Sequence, residues 1–292
     1  MSDKMVEKGK GKKKSPWTLR IIFIIGFLLC CYPLASGIIE RQYQKDAVAT
    51  YKSAMENTSE EDKKAELEKA REYNSMLYQS NGAIVDNLDM GILSDESYNS
   101  LLSNGGSGVM GSIEIPKIDV DLPIYHGTDD SVLSNGVGHL EGTSLPVGGE
   151  STRCVLTGHR GLPNSKLFTR LDEVNKGDLF FISVCGETLA YKVCEIKVVE
   201  PEEVGELDIV ADKDLCTLVT CTPYGLNTHR LLVTGERVPY EKADYDSIDS
   251  TLPSWRELIF AVLPFIFIAI VVISNIRDRR VKKDGKKEVS EK

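Results

Sequence analysis

The sequence predicts a mainly β domain, folded as a closed barrel or a sandwich with short helices, that is preceded by an α-helical segment and flanked by two transmembrane helices. From Val109 onward, short β-rich runs alternate with glycine and proline, which is typical of many-stranded β folds. Before that point, apolar residues recur at helical spacing. Two long apolar runs, one near each end of the chain, contain no charged residue.

The two apolar runs, residues 21–39 and 258–276, are each 19 residues long. As helix, each would measure about 28 Å, which fits a bilayer. The tail of residues 1–20 carries seven Lys and Arg residues, and the tail of residues 277–292 carries eight. Because basic flanks stay on the cytoplasmic side, both tails are expected in the cytoplasm and residues 40–257 outside the cell membrane.

The first run also resembles a secretory signal, because it leads to Pro33 and then to the small residues 35–37. Apolar character resumes at Ile38, which favours an uncleaved anchor. Under either interpretation residues 40–257 lie outside.

The net charge of −9 conceals two basic tails and an acidic external part. Residues 40–257 contain 20 Lys and Arg residues against 38 Asp and Glu residues. An acidic domain disfavours nucleic acid as a partner, and the basic tails are better explained as topology signals.

Most of the seven cysteines are expected to be unpaired. Two lie in the first apolar run, and the chain has no C-x-x-C pair and no Cys/His spacing that suits zinc. Four are expected as buried free thiols: Cys154, Cys185, Cys194 and Cys216. No cofactor is expected. An acidic cluster could hold a metal, but a solvated loop is favoured for Glu202, Glu203, Glu206 and Asp208.

Residues 40–80 are expected to form a juxtamembrane helical segment. Glu60 and Lys64 suggest an i,i+4 ion pair, and Thr58 or Ser59 suits a helix cap. The apolar stripe consists of Leu67, Ala70, Tyr73 and Leu77. Residues 81–108 are rich in Gly, Asn, Ser and Asp, which predicts irregular structure.

Seven β-rich runs follow, and one short helix is expected at residues 165–171. Residues 239–257 are expected as an acidic spacer before the second membrane helix. The runs are Ile113–Ile115, Leu122–Tyr125, Arg153–Leu156, Leu179–Val184, Ala190–Val199, Leu215–Cys221 and Leu231–Val233.

Three residues could carry acyl transfer. The Cys221 thiol needs a partner that removes its proton, which His159 can do, and the Arg230 guanidinium can stabilise a developing oxyanion. If the strands on either side of the turn at residues 223–227 form a hairpin, Cys221 and Arg230 meet at one end of the sheet. His229 would face the other way. From the residues alone, a packing cysteine and a surface arginine stay open as the alternative.

Several segments resemble sortases, the membrane-anchored cysteine transpeptidases of Gram-positive bacteria. Four of them, and the second apolar run, resemble the pilin-polymerising class C group. The general sortase segments are Thr217–Gly225 and Asn227–Arg230, and the class C segments are Ile113–Ile118, Leu122–Gly127, Gly136–Pro146 and Thr157–Pro163.

The resemblance implies an eight-stranded barrel over residues 109–238 and a ping-pong mechanism. Cys221 would attack the Thr–Gly bond of an LPXTG-like sorting signal on a pilin or surface protein and form a thioester. His159 would act as acid and base, and Arg230 would hold the oxyanion. The acceptor would be a pilin lysine, so that the chain assembles pili. A sortase that anchors proteins to peptidoglycan is the near alternative, and a non-catalytic membrane-bound binding protein is the distant one.

Class C sortases usually carry a lid with an Asp-Pro-aromatic anchor, which this chain lacks. We expect a lid within residues 81–108. Its nearest anchor candidate is Asp86 with Leu88, and Asp95 with Tyr98 is the second. Deleting the lid is expected to raise cleavage of a sorting-signal peptide.

Overall fold

The computed structural model describes residues 16–80, 95–103, 108–162, 165–249, 258–259, 262–274 and 276–277. The chain divides into two compact units. Residues 36–254 form one unit, and residues 1–35 with 255–292 belong to the other.

The first unit contains a closed eight-stranded barrel, which confirms the predicted fold class. Around the barrel the strands follow the order β1-β2-β3-β4-β7-β8-β6-β5. The β2–β3 and β4–β7 pairs are parallel, and the other pairs are antiparallel. The strands are β1 Val109–Ile115, β2 Val120–His126, β3 Val137–His139, β4 Thr152–Thr157, β5 Leu179–Val184, β6 Glu187–Val199, β7 Asp214–Thr222 and β8 His229–Val238.

All seven predicted runs lie within strands, and β3 is the strand that the sequence did not predict. It has three residues, too few for a periodic pattern. Up to residue 249, the helices among the described residues are α1 Pro16–Asn57, α2 Glu60–Gln79, α3 Asp95–Ser100, α4 Asp130–Asn135 and α5 Lys242–Asp246.

Two local predictions were wrong. Helix α3 lies inside the stretch predicted to be irregular, because buried Tyr98 anchors it to the barrel. The helix expected at residues 165–171 is replaced by turns and a 3-10 helix at Leu171–Glu173, where Phe168 and Leu171 are buried. In both cases the backbone conformation is determined by the burial of a few side chains and not by local propensity.

The predicted helical character of residues 40–80 is confirmed, with a break between α1 and α2. The Ser59 side chain caps α2 by accepting from the Asp62 backbone N–H at 3.1 Å. Glu60 pairs with Lys63 at 2.7 Å instead of Lys64, because i,i+3 neighbours also share a helix face. All four residues of the predicted apolar stripe are buried.

Helix α2 docks on the barrel through a reciprocal contact. The Asn74 side chain donates to the Leu145 carbonyl at 3.2 Å and accepts from the Leu145 N–H at 2.7 Å. Both groups are buried, so the contact fixes the position of α2 against the barrel.

Three of the four cysteines expected in the core are buried, namely Cys154, Cys185 and Cys216. The expectation was wrong for Cys194, which is exposed. It lies at an irregularity of the β6–β8 ladder, where the register shifts between Val193 and Glu195. Such a bulge turns one side chain out of the regular alternation.

One helix among the described residues is long and apolar enough to cross a membrane. It runs from Ile21 to Asn57, and its most apolar stretch has a mean hydropathy of 2.3. Near the other end, the continuously described apolar helix Val262–Ser274 is shorter, about 20 Å at 1.5 Å per residue. The second membrane span therefore stays a prediction.

Candidate active site

Cys221 and Arg230 are register partners at the end of the β7–β8 hairpin. Both side chains are partly exposed. The connecting turn is closed by the N–H groups of Leu226 and Asn227, which donate to the Pro223 carbonyl at 3.1 and 3.0 Å. The predicted hairpin is confirmed, and it places Cys221 opposite Arg230, whose Nη1 atom donates to the Asn227 and His229 carbonyls at 3.4 and 3.2 Å.

His159 follows β4, which lies parallel to β7 on the other side. The last ladder pair is Thr157 with Val219. Beyond it, the Gly158 N–H donates to the Val219 carbonyl at 3.0 Å, and the Thr220 hydroxyl donates to the Gly158 carbonyl at 2.8 Å. If the same offset is continued by one more residue, His159 comes level with Cys221.

Gly158 allows residues 158–161, the histidine turn, to approach the barrel closely. A Cβ atom at this position would lie 2.7 Å from the Phe168 ring, which is closer than real Cβ contacts. Phe168 is fully buried, and its N–H donates to the His159 carbonyl at 3.1 Å. The ring and this hydrogen bond hold the turn on both sides of His159.

The face of the sheet that carries Cys221 is apolar. Side chains alternate along a strand, so Cys221 shares a face with Val219, and Arg230 shares a face with Leu232. Val219 and Leu232 belong to a small buried cluster that is separate from the barrel interior. The thiol therefore lies at the end of a face whose apolar side chains are buried against one another. The cluster consists of Val155, Val199, Leu207, Val219 and Leu232, with Leu140 against it.

His229 has other partners. Its Nε2 atom lies 3.1 Å from a Glu200 carboxylate oxygen, and its Nδ1 atom lies 2.8 Å from the Thr228 hydroxyl. The imidazole is thus directed to the start of the β6–β7 connection, as the strand alternation predicts.

The Cys185 thiol differs from Cys221 in environment. Burial raises the pKa of the Cys185 thiol to about 11, and nearby Glu66 contributes, so Cys185 stays protonated. A protonated thiol is a poor nucleophile. Cys221 is partly exposed and lies opposite Arg230 in the ladder, so its thiol is more accessible than that of Cys185.

Arg160 has no role predicted from the sequence, although it lies in the middle of this region. Its side chain is 2% exposed, and Nη1 donates to the Thr222 hydroxyl at 3.3 Å. Its position next to His159 is the signal that could have marked it.

The first lid candidate, Asp86 with Leu88, lies outside the described residues. Tyr98, from the second candidate, is buried, and its hydroxyl is hydrogen-bonded to His139 Nδ1 at 2.9 Å. It also accepts from the Gly127 N–H at 3.0 Å. Tyr98 therefore fixes α3 to β3.

The acidic cluster considered as a metal site is part of the β6–β7 connection. Glu206 pairs with Lys197 at 2.5 Å, and a Glu203 carboxylate accepts from the Glu200 N–H at 3.2 Å. Across the described part of the chain, no three His, Cys, Asp or Glu side chains are arranged to hold a metal ion.

Comparison with known proteins shows the family. The sortase domain model matches residues 113–238. The structure of sortase C1 from Streptococcus agalactiae is 46% identical with a TM-score of 0.63, and the match covers 67% of this chain and 100% of that one. Sortase C from Streptococcus pneumoniae, described with its pilin substrate specificity, is 37% identical with a TM-score of 0.57 and coverage of 67% and 97%.

A curated relative, sortase D of Bacillus subtilis, is 33% identical over 131 residues. That match covers 44% of this chain and 63% of the relative, a little under two thirds of its length. The barrel, the matched domain and these relatives agree: the chain belongs to the sortase family of cysteine transpeptidases, and its structural neighbours include class C sortases.

Proposed function

We propose that the chain is a membrane-anchored transpeptidase that joins pilin subunits, with Cys221 as nucleophile, His159 as acid and base, and Arg230 as oxyanion stabiliser. The observation that carries the proposal is the direct pairing of Cys221 with Arg230, beside the β4 extension that carries His159. A thiol, a proton carrier and a permanent cation then meet at one end of the barrel.

The first half-reaction is acylation. Cys221 Sγ attacks the threonine carbonyl of an LPXTG-like sorting signal, and the charge on the carbonyl oxygen is stabilised by Arg230. His159 protonates the leaving glycine amine, which leaves a thioester on Cys221.

The second half-reaction transfers the acyl group to an amine. A pilin lysine attacks the thioester, its proton passes to His159, and the Cys221 thiolate leaves. Pilin lysine is favoured as the acceptor because the class C neighbours include an enzyme described with pilin substrates. The apolar helix beginning at Ile21 supports anchoring, which raises the effective concentration of a membrane-held substrate.

The decisive test is mass spectrometry of the full chain after incubation with a sorting-signal peptide. A thioester at Cys221 that is absent in Cys221→Ala supports the proposal, and a covalent adduct that persists in that variant overturns it. Two acceptors are then offered to the thioester, a pilin lysine peptide and a cell-wall stem-peptide amine. Transfer to the stem peptide alone would favour the alternative, a sortase that anchors proteins to peptidoglycan.

A further inference from the structure

We propose that Arg160 is a positioning residue that holds the His159 turn in register with the Cys221 end of β7. The inference rests on the proposed function, because it takes Cys221 and His159 as the reacting pair. Arg160 itself need not touch substrate, since its side chain is almost fully buried.

The Arg160 guanidinium joins three separate segments. It donates from Nη1 to Thr222 at 3.3 Å and pairs through Nη2 with Asp172 of the 3-10 helix. Its Cζ atom lies 5.8 Å from the centre of the Tyr224 ring, in the β7–β8 turn. One side chain thus links the histidine turn to strand β7, which carries Cys221, and to the 3-10 helix that contains Asp172.

The Arg160–Thr222 contact continues the ladder that brings the two strands together. Ladder partners in β4 and β7 are 62 residues apart in sequence. The same separation holds for two hydrogen-bonded pairs beyond the ladder, Gly158 with Thr220 and Arg160 with Thr222. The Gly158 and Arg160 contacts therefore bracket the position where His159 comes level with Cys221. Loss of either contact lets the His159 turn shift along β7 relative to the Cys221 thiol.

Stability alone does not explain the buried cation. The Nε atom of Arg160 is buried and has no hydrogen-bond partner within the described residues, and its ion partner Asp172 is one third exposed. A buried ion pair with incomplete hydrogen bonding contributes little net stability, because desolvation offsets the attraction. What Arg160 supplies is a directed, multi-point connection that an apolar side chain would not make.

Arg170 is a matched control. Its side chain is 6% exposed and pairs with Glu173 at 2.7 Å, so it is another buried arginine with a carboxylate partner. That partner is three residues away in the same segment, so the Arg170–Glu173 pair does not join two strands.

The experiment compares Arg160→Met, Arg160→Lys and Arg170→Met in the full chain with wild type. Thioester formation with a sorting-signal peptide gives kcat and KM, and site-resolved alkylation of Cys221 as a function of pH reports the environment of the thiol. We expect kcat to fall about 10- to 100-fold in Arg160→Met, since a displacement of about 1 Å at a reacting group has that effect. KM should stay within about threefold, the alkylation profile should shift, and Arg160→Lys should recover part of the loss.

The outcomes separate the inference from the proposed function. If wild type forms no thioester, the proposed function fails. If it does, and Arg160→Met matches Arg170→Met in kcat and alkylation profile, only the role of Arg160 is overturned. Should Arg160→Met not fold by circular dichroism, Thr222→Val decides, because it removes the acceptor hydroxyl at similar volume. A wild-type kcat in Thr222→Val would then overturn the inference, and a fall of about threefold or more would support it.

Discussion

Cys221 lies directly opposite Arg230 in the β7–β8 ladder, at the end of the hairpin. Directly opposite residues in an antiparallel pair have Cβ atoms about 4.5–5.5 Å apart. A guanidinium on that neighbour can reach a carbonyl oxygen held at the thiol. The relationship depends on the closed turn at Pro223 and on a regular register along the whole of β7.

Replacing Arg230 is expected to lower kcat far more than it changes KM. Loss of an oxyanion donor typically costs about 100- to 1000-fold in rate, and lysine cannot reproduce the forked geometry. We expect Arg230→Lys to fall between wild type and Arg230→Ala. Steady-state cleavage of a sorting-signal peptide measures both constants. Arg237→Lys, on the same strand but beside Tyr191, should retain most activity; an equal loss there would argue that strand β8 as a whole, not the Arg230 charge, is responsible.

Gly158→Ala is expected to be destabilising and to reduce activity. Its Cβ atom would lie 2.7 Å from the buried Phe168 ring, and overpacking of this kind costs about 1–3 kcal/mol. Urea unfolding and peptide cleavage measure the two effects. Gly205→Ala is the control, because its Cβ atom would meet a neighbour only at 3.9 Å.

A second substitution tests whether the Phe168 ring is the cause of the destabilisation expected in Gly158→Ala. Phe168→Leu makes room, so the double variant Gly158→Ala/Phe168→Leu should be more stable than the sum of the single effects predicts. Strictly additive effects would mean that the ring is not the obstacle.

Most strands and the β7–β8 hairpin were predictable because their signals are local, whereas the eight-stranded barrel was expected from the resemblance to sortases. Turn residues mark the β7–β8 connection, and strand alternation separates His229 from Arg230. Strand β3 was not predictable because its three residues are too few for a periodic pattern, and the Arg160–Thr222 contact was not because its partners are 62 residues apart. The pattern of residue types does not indicate that β4 and β7 pair in parallel with an offset of 62 residues. The missed contacts are therefore those that connect the strands, not those within them.

Tyr98→Phe is expected to destabilise the barrel unit. The Tyr98 hydroxyl is bonded to His139 and to the Gly127 N–H, and its removal leaves buried polar groups unsatisfied at a cost of about 1–3 kcal/mol. Tyr78→Phe, at a residue 43% exposed, should change stability by less than about 0.5 kcal/mol. Urea unfolding of both variants tests the difference, and equal midpoints would contradict the buried role of Tyr98.

Asp121→Asn is expected to stabilise the protein at neutral pH. Burial raises the pKa of the Asp121 carboxyl, and Glu114, its register partner across β1–β2, raises it further. One Asp121 oxygen is buried without a partner among the described residues. Like charges directly opposite each other destabilise a strand pair, so the amide should gain up to about 1 kcal/mol in the free energy of unfolding.

The sign of the pH dependence distinguishes this explanation from a general effect of the amide at Asp121. Because the folded-state pKa is raised, the ionised carboxylate lowers stability at neutral pH. That loss disappears as pH falls through the folded pKa towards the ordinary value of 3.8. The advantage of Asp121→Asn should therefore be largest at neutral pH and shrink near about pH 4, as measured by urea unfolding at several pH values. Asp119→Asn, at an exposed residue paired with Arg41, should show no such gain. An advantage of Asp121→Asn that is the same at both ends of the range would mean that ionisation of Asp121 is not its cause.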